Sequence, residues 1–422
     1  MGVVAGVAGY FAGTSTAPVQ TVTQTVAGAE RTVTTTITQA ITKTVTAELP
    51  RGPIKIGTVQ NLTGGMAFID APALNGINLA AKQWNEQGGV LNREIQILAV
   101  DTKTDQAEAA AGAKRLVEQG VSAIIGYGDT TFALAAAPAA QQAKVVFVTQ
   151  GATHPRLPEF IGDYFFMTPF GDNDQAAAMA EYAVKTLGYK TAVIWVDYAM
   201  DFSVAVCSYF LDAFQYWGGK VLYVDRFKTD DTDFSAQISR FLASSPKPDF
   251  LYLGSTPGNV GIMVKQIREA GITTPIIGQD GFDTPEGLVG VAKEAAEGII
   301  FTTHVSLFDP DSRVTRFVEA YRKEYGKDPE NAFAALGYDA LNLILNAISR
   351  AGSDRPSDIK AALEKTKNFP GVTGDITLSP ERHVPFKSVA ILKVEGGKFM
   401  PLAKLVSSYT PDPKKDKIIL EF

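Results

Sequence analysis

Cysteine is nearly missing: Cys207 stands alone among 422 residues. An intrachain disulfide framework is excluded, and so is a cysteine-based zinc site. Histidine is scarce too. His154, His304 and His383 lie far apart without ligand-like spacing, and each reads as a surface or hydrogen-bonded residue. Basic charge is not in excess, with 39 Lys and Arg against 45 Asp and Glu, a net charge of −6. No basic stripe appears, so nucleic acid is not an expected partner. No P-loop occurs, and the GxG-like pieces are too weak for a dinucleotide site. No Ser or Thr has a His or Lys in a recognisable partner motif. The chain is therefore not read as an enzyme, and no metal or cofactor is expected.

The apolar opening MGVVAGVAGYFAG, residues 1–13, is shorter than the ~20 residues of a membrane span. It also lacks the positive n-region of a signal peptide. It reads as the remnant of an export or anchor segment, with a disordered apolar terminus as the alternative. Residues 14–52 are dominated by Thr, as in TVTQTVAGAERTVTTTITQAITKTVT, and resemble an extracellular stalk or linker. A helical stalk over 27–47 is the alternative. Pro50, Gly52 and Pro53 mark the boundary with the globule. On this reading the protein is extracytoplasmic, held at the cell surface by its N-terminus.

Beyond that boundary the composition, 45% hydrophobic and 20% charged, suffices for a sizeable core in two lobes. Strand and helix alternate. Strands are expected at 54–60, 94–101, 123–126 and 164–167, with helices at 72–87 and 105–119. The Ala-rich stretch IIGYGDTTFALAAAPAAQQAKVVFVTQGAT, 124–153, adds strand, helix, strand and two small-residue turns. Thr168-Pro169-Phe170-Gly171 reads as a crossover. A second βα series follows, with strands at 191–196, 221–225, 250–253, 276–277 and 298–303 and helices at 202–217, 234–243 and 259–270. Helices at 313–325, 334–350 and 356–365 have no sheet between them and are expected to return to the first lobe. Strands at 375–378, 388–394 and 399–406 close the fold.

Such alternation implies α/β architecture, two doubly wound Rossmann-like lobes with right-handed crossovers. Ligands of open α/β sheets sit outside the C-terminal strand ends. The hydroxyls of Thr130, Thr131 and Thr153 would face that space. N–H groups at the start of the Ala-rich helix would join them, which suits a small carboxylate. Thr130 and Thr131 also read as simple N-caps. Asp129, a turn aspartate, is expected to point to solvent. Asn61 opens an N-x-T sequon, but a strand's C-terminal edge is a poor glycan site.

Several stretches carry a family resemblance: IKIG…LTGG, NGINLAAKQWNEQGGVLNREIQILAVDTKTD, QAEAAAGAKRLVEQGVSAIIG, TQGAT, IIGQDGF, GYDALNLILNAI and GVTGDITLSPERH. In this order and spacing, over nearly all of 53–408, the chain resembles the type I periplasmic binding proteins of ABC transporters, in their branched-chain amino-acid branch. The resemblance implies a Venus-flytrap clamp with a three-crossing hinge, its ligand a small neutral or branched-chain amino acid and its partner a membrane permease. A monomer is expected. The expected division is 53–168 plus 304–375 for lobe I, 169–303 plus 376–408 for lobe II, and 409–422 as a C-terminal tail. Amides, urea or other small polar solutes are the alternative ligands, and a ligand-sensing ectodomain is the alternative role.

The resemblance also implies site residues. Thr130, with Thr131 beside it, stands where a hydroxyl meets the ligand carboxylate. Gly151-Ala152-Thr153 matches the family's Ala-Ala-Thr-like turn. Asp280 matches the acidic residue that meets the ammonium, although an Asp before Gly281 also reads as an ordinary turn residue. Tyr198 or Phe202 is the nearest equivalent of the capping aromatic, but VDYAMDFSV departs from the family's Tyr-Gly pattern. Thr256 replaces an aromatic seen in some members. Phe68 and Ile69 either touch the ligand side chain or cover the sheet edge. Asp129 is unusual beside a carboxylate site.

Overall fold

The computed structural model describes residues 52–422. The N-terminal export remnant and the Thr-rich stalk fall outside the described residues, apart from Gly52.

The first half forms five strands: β1 (Ile54–Gln60), β2 (Ile95–Asp101), β3 (Ala123–Gly126), β4 (Val146–Thr149) and β5 (Phe165–Met167). Between them run α1 (Ala67–Glu86), α2 (Gln106–Glu118), α3 (Thr130–Ala143) and the short α4 (Leu157–Ile161). The sheet is parallel throughout, in the order β2-β1-β3-β4-β5. Its central strands are buried on both faces, which is why they read as continuous apolar runs.

The second series repeats the plan. Helix α5 (Asp172–Glu181) leads into β6 (Thr191–Asp197), α6 (Asp201–Tyr216), β7 (Lys220–Phe227), α7 (Ser235–Ala243) and β8 (Phe250–Gly254). Then come α8 (Val260–Glu269), β9 (Ile276–Gly278), α9 (Pro285–Ala292) and β10 (Ile300–Thr303). Strands β7-β6-β8-β9-β10 have the topology of the first sheet. After α10 (Ser312–Tyr325), α11 (Ala332–Ala351), α12 (Pro356–Leu363) and the small ribbon of β11 (Phe369–Gly371) and β12 (Gly374–Ile376), the chain forms the hairpin β13 (Val389–Glu395) and β14 (Lys398–Leu405). That hairpin adds antiparallel to β10 and completes a seven-stranded sheet. The chain passes between the sheets three times, after β5, after β10 and after β12.

The late helices do return to the first sheet. Helix α11 is long and apolar enough to cross a membrane by composition, yet it is mostly buried. It shares a core with Ile54, Ile125, Val148 and Phe166. Its contact with α1 needs two glycines. A methyl at Gly76 would collide with the Ala334 carbonyl, and one at Gly337 with the Ala73 carbonyl. Glycine inside a helix costs about 1 kcal/mol relative to Ala; here it lets two backbones touch.

Helices α1, α5 and α9 differ from the sequence expectation. Helix α1 starts at Ala67, five residues before Pro72. Proline lacks the N–H that would bond the Phe68 carbonyl, and Asn331 Nδ2 donates to that oxygen instead at 2.9 Å. Helix α5, continued by a π-helical turn at Tyr182–Thr186, was not expected, because its DND opening resembles a loop. Helix α9 was hidden by two glycines, although Thr284 caps it and Pro285 occupies its first turn.

Residues 409–422 lie along both lobes. Ile419 is buried, and Tyr209 on α6 donates its hydroxyl to the Pro413 carbonyl at 2.6 Å. Lys415 pairs with Asp212 of α6, whereas Asp416 pairs with Arg156, between β4 and α4, at 3.0 Å.

Candidate functional site

In a sheet ordered 2-1-3-4-5 the crevice opens between the first and third strands, where the direction of winding reverses. Here that is the gap between β1 and β3 in one lobe and between β6 and β8 in the other. The two gaps face each other. Gly65 and Gly258 meet so closely that a Cβ on Gly65 would lie 3.3 Å from the Gly258 Cα. The Asp201 N–H donates to Thr131 Oγ1 across the cleft at 3.2 Å. The lobes are thus closed on one another.

Between them lies a narrow cavity of ≈ 10 Å³, room for about one water in this closed form. Met66, Ile69, Gly128 and Asp129 line it from the first lobe. Phe202, Thr256, Pro257, Asp280 and Gly281 line it from the second, with Phe333 at the start of α11.

On the first-lobe side the backbone is bent hard. Tyr127 is buried with φ +64°, a left-handed conformation that bulky residues seldom adopt. Asp70 of α1 helps hold the turn, accepting from the N–H groups of Gly128 at 2.7 Å and Asn61 at 2.9 Å. Burial pushes its carboxyl up to about 7, against those two hydrogen bonds. Asn61 is fully buried, with Oδ1 accepting from Thr102 and Thr104.

Asp129 does not point to solvent. It is 4% exposed, lines the cavity, and is itself the N-cap of α3, accepting from the Thr131 N–H at 2.8 Å. The reason is local: the helix start offers free N–H groups, and a preceding Asp satisfies them better than Thr does. Neither Thr130 nor Thr131 is the cap. The anion-friendly helix start already holds the protein's own carboxylate. Burial raises that carboxyl to about 7, helped by the charges of Asp70 and Asp201. The Thr130 hydroxyl beside it is fully buried and has no hydrogen-bond partner.

On the second-lobe side Asp280 lies in a short 3₁₀ turn after β9 and is 2% exposed. Gln175 Nε2 donates to its Oδ1 at 3.0 Å, and His304 Nε2 stands 3.0 Å from its Oδ2. Gln175 is fixed in turn by the Thr302 hydroxyl, which donates to its Oε1 at 2.7 Å. Burial depresses the basicity of His304, opposed by its bond to Asp280. The ring is stacked on Phe170 with centroids 4.3 Å apart, and its Nδ1 has no partner among the described residues. Among the described residues no Lys or Arg pairs with Asp280. Gln175 and His304 are its side-chain partners. Asp172 lies close behind, bonded to the same Gln175 at 2.8 Å. Burial, followed by the charge of Asp280, raises its carboxyl well above the ordinary range.

The other expected residues divide. Phe202 and Thr256 line the cavity with Asp280. Thr153 is buried, its carbonyl accepting from the Asp172 N–H at 2.7 Å. Gly151 and Ala152 are buried beneath the cavity wall, and a Cβ on Gly151 would meet the Phe333 ring at 2.8 Å and the Gly128 Cα at 2.9 Å. Thr131 joins the lobes as described. Tyr198 is 44% exposed, outside the cavity lining, with Lys228 Nζ 5.9 Å from its ring centre. Phe68 is half-buried in the first turn of α1 and is not part of the lining, whereas its neighbour Ile69 is.

Sequence reasoning missed Asp70, Asp172, Gln175 and His304. Asp70 had a signal, a lone acid inside the apolar run AFIDAPAL. Gln175 had none without α5. All three histidines are buried and hydrogen-bonded. The alternative that they lie on the surface is set aside.

Two similar lobes, a three-pass hinge and a cleft at the facing switch points define a clamp-type solute-binding protein. A family model for periplasmic binding proteins matches residues 53–398, and the chain belongs to that family. It is similar to the leucine binding protein LivK from Thermotoga maritima, with 35% identity, a TM-score of 0.78, and coverage of 84% of this chain and 99% of that one. It is also similar to the branched-chain amino acid transporter substrate binding protein LivJ from Streptococcus pneumoniae, solved in complex with isoleucine. There the identity is 30% and the TM-score 0.78, covering 85% of this chain and 100% of that one. The leucine-specific-binding protein of Salmonella typhimurium is 26% identical over 306 residues, 72% of this chain and 81% of its own length.

Proposed function

We propose that this protein captures a small neutral or branched-chain amino acid between its lobes and presents it to an ABC permease, as a monomer held outside the membrane by its N-terminal segment. One observation carries the reading. Asp280 is a buried carboxylate at the cleft, held by Gln175 and His304 with no Lys or Arg beside it among the described residues, and an ammonium group would pair with it. It comes from the second lobe, so a ligand that also touches the first lobe stabilises closure. Only such differential affinity shifts an open–closed equilibrium. The relatives named for leucine and isoleucine support the ligand class.

A thermal-shift screen of the free amino acids and small amides tests this, because a ligand of the folded form raises the midpoint by mass action. A response to aliphatic amino acids is expected, and its loss in Asp280→Ala. A response confined to other solutes would discard the amino acid and leave the clamp. Asp129 favours a second reading, an amide or urea-like solute whose N–H groups it would accept.

A further inference from the structure

Asp129 stands where the first-lobe end of the cavity needs a hydrogen-bond donor, and an ionised carboxylate has none to give. It is 4% exposed and borders the closed cavity. The charged groups around it are all of one sign. Asp70 faces it from α1, Asp201 from the start of α6, Asp172 from the start of α5, and Asp280 shares the cavity from the second lobe. Among the described residues no Lys, Arg or His lines this cavity. Only N–H groups at the start of α3, those of Thr131 and Phe132, favour its charge. A solute carboxylate entering beside it brings a second negative charge into a nearly dry space. Two carboxylates sharing one site do not both ionise; one keeps a proton. Protonated, Asp129 can retain the Thr131 N–H on one oxygen and offer an O–H from the other.

We infer that Asp129 belongs to the ligand site as a carboxylic acid, its O–H donating to the solute carboxylate, so that capture of an amino acid takes up a proton from solvent wherever free Asp129 is ionised. No covalent bond changes. The Thr130 hydroxyl next to it is buried without a partner, although Thr130 is outside the cavity lining. This rests on the amino-acid reading of the cleft. The raised acidity constant of the carboxyl, about 7 from burial, agrees in direction.

The test is titration calorimetry with leucine and isoleucine from pH 5.5 to 8.5, a range in which the ligand ammonium stays charged. The dissociation constant is expected to be level at the acid end and to rise toward about tenfold per pH unit above roughly neutral, the limit for one coupled proton. Heats in two buffers of different ionisation enthalpy should report close to one proton taken up at the alkaline end. Asp129→Asn cannot titrate but keeps an N–H donor, so both the slope and the proton uptake should vanish. A native protein whose affinity and proton count are level across the range overturns the inference. So does an Asp129→Asn variant that keeps the slope, since the proton then belongs to another group such as Asp172. Tighter binding of leucinamide than of leucine, growing with pH, also overturns it, by making Asp129 an anionic acceptor. Absence of binding by any amino acid at every pH, in both proteins, instead removes the amino-acid reading itself. A melting curve for each variant shows that it is folded.

Discussion

His304 stands 3.0 Å from Asp280 Oδ2 through Nε2 while its ring lies on Phe170. The stacking fixes the plane of the imidazole, and the hydrogen bond fixes the carboxylate. His304→Phe keeps the flat apolar contact and removes the donor. A hydrogen bond to a charged group is worth about 1.5–3 kcal/mol, so amino-acid affinity should fall roughly ten- to a hundredfold. Calorimetric titration of the variant measures this, and unchanged affinity would show that Asp280 does not depend on the imidazole.

Asp280 itself should matter more. Asp280→Ala removes the group proposed to pair with the ammonium and leaves Gln175 and His304 aimed at an empty place. Loss of a buried charge partner costs about 3–5 kcal/mol, which takes binding below detection in the thermal-shift screen. Undiminished binding would take Asp280 out of that role.

The buried carboxyls make stability depend on pH. Burial raises Asp70, Asp129 and Asp283 to about 7 from an ordinary 3.8. Between those values the folded chain holds protons that the unfolded chain releases. Their contribution is therefore full below about 3.8 and is lost as the pH rises through about 7. His304 and His383, depressed by burial, act in the opposite sense below 6.5, but they are fewer. The ligand-free melting temperature should fall from pH 5 to pH 7.5. In Asp283→Asn the fall in unfolding free energy should be smaller by up to about 1.4 kcal/mol per pH unit. A midpoint that rises over this interval would contradict the sign.

The crossing of α1 and α11 predicts that Gly337→Ala is destabilising despite the better helix propensity of alanine. The added methyl meets the Ala73 backbone, which cannot rotate away. Overpacking of this kind costs about 1–3 kcal/mol, and urea denaturation should show a lower midpoint. Gly352→Ala is the contrast. Nothing lies within 4 Å of a Cβ there, but the residue has φ +62°, so any cost is backbone strain alone.

Much of the fold was legible because its signals are local. Buried parallel strands such as Ile54–Gln60 appear as apolar runs, and Asp105 and Gly120 bracket α2. Helix α5 was not legible, since Asp172, Asn173 and Asp174 are polar residues that this fold buries. The same burial hid half of the candidate site. Asp280 could be located by its turn and its family position, but Gln175 and His304 reach it from 105 and 24 residues away. No spacing rule connects them. Asp129 misled in a different way: turn aspartates usually face water, and here the side chain turns back to cap α3.

The C-terminal segment has a consequence for tuning. Lys415 is paired to α6 of the second lobe, and the next residue, Asp416, to Arg156 of the first. Adjacent Cα atoms are ~3.8 Å apart, so this link has almost no slack. Parting the lobes must release one ion pair or drag the segment along. This tie lies outside the cavity lining, yet its strength bears on the balance between open and closed molecules. Apparent affinity scales with the fraction of molecules already in the competent state. Sequence change in this segment would then act as a gain control, strengthening or weakening capture of every solute by the same factor while leaving the ranking among solutes to the cleft.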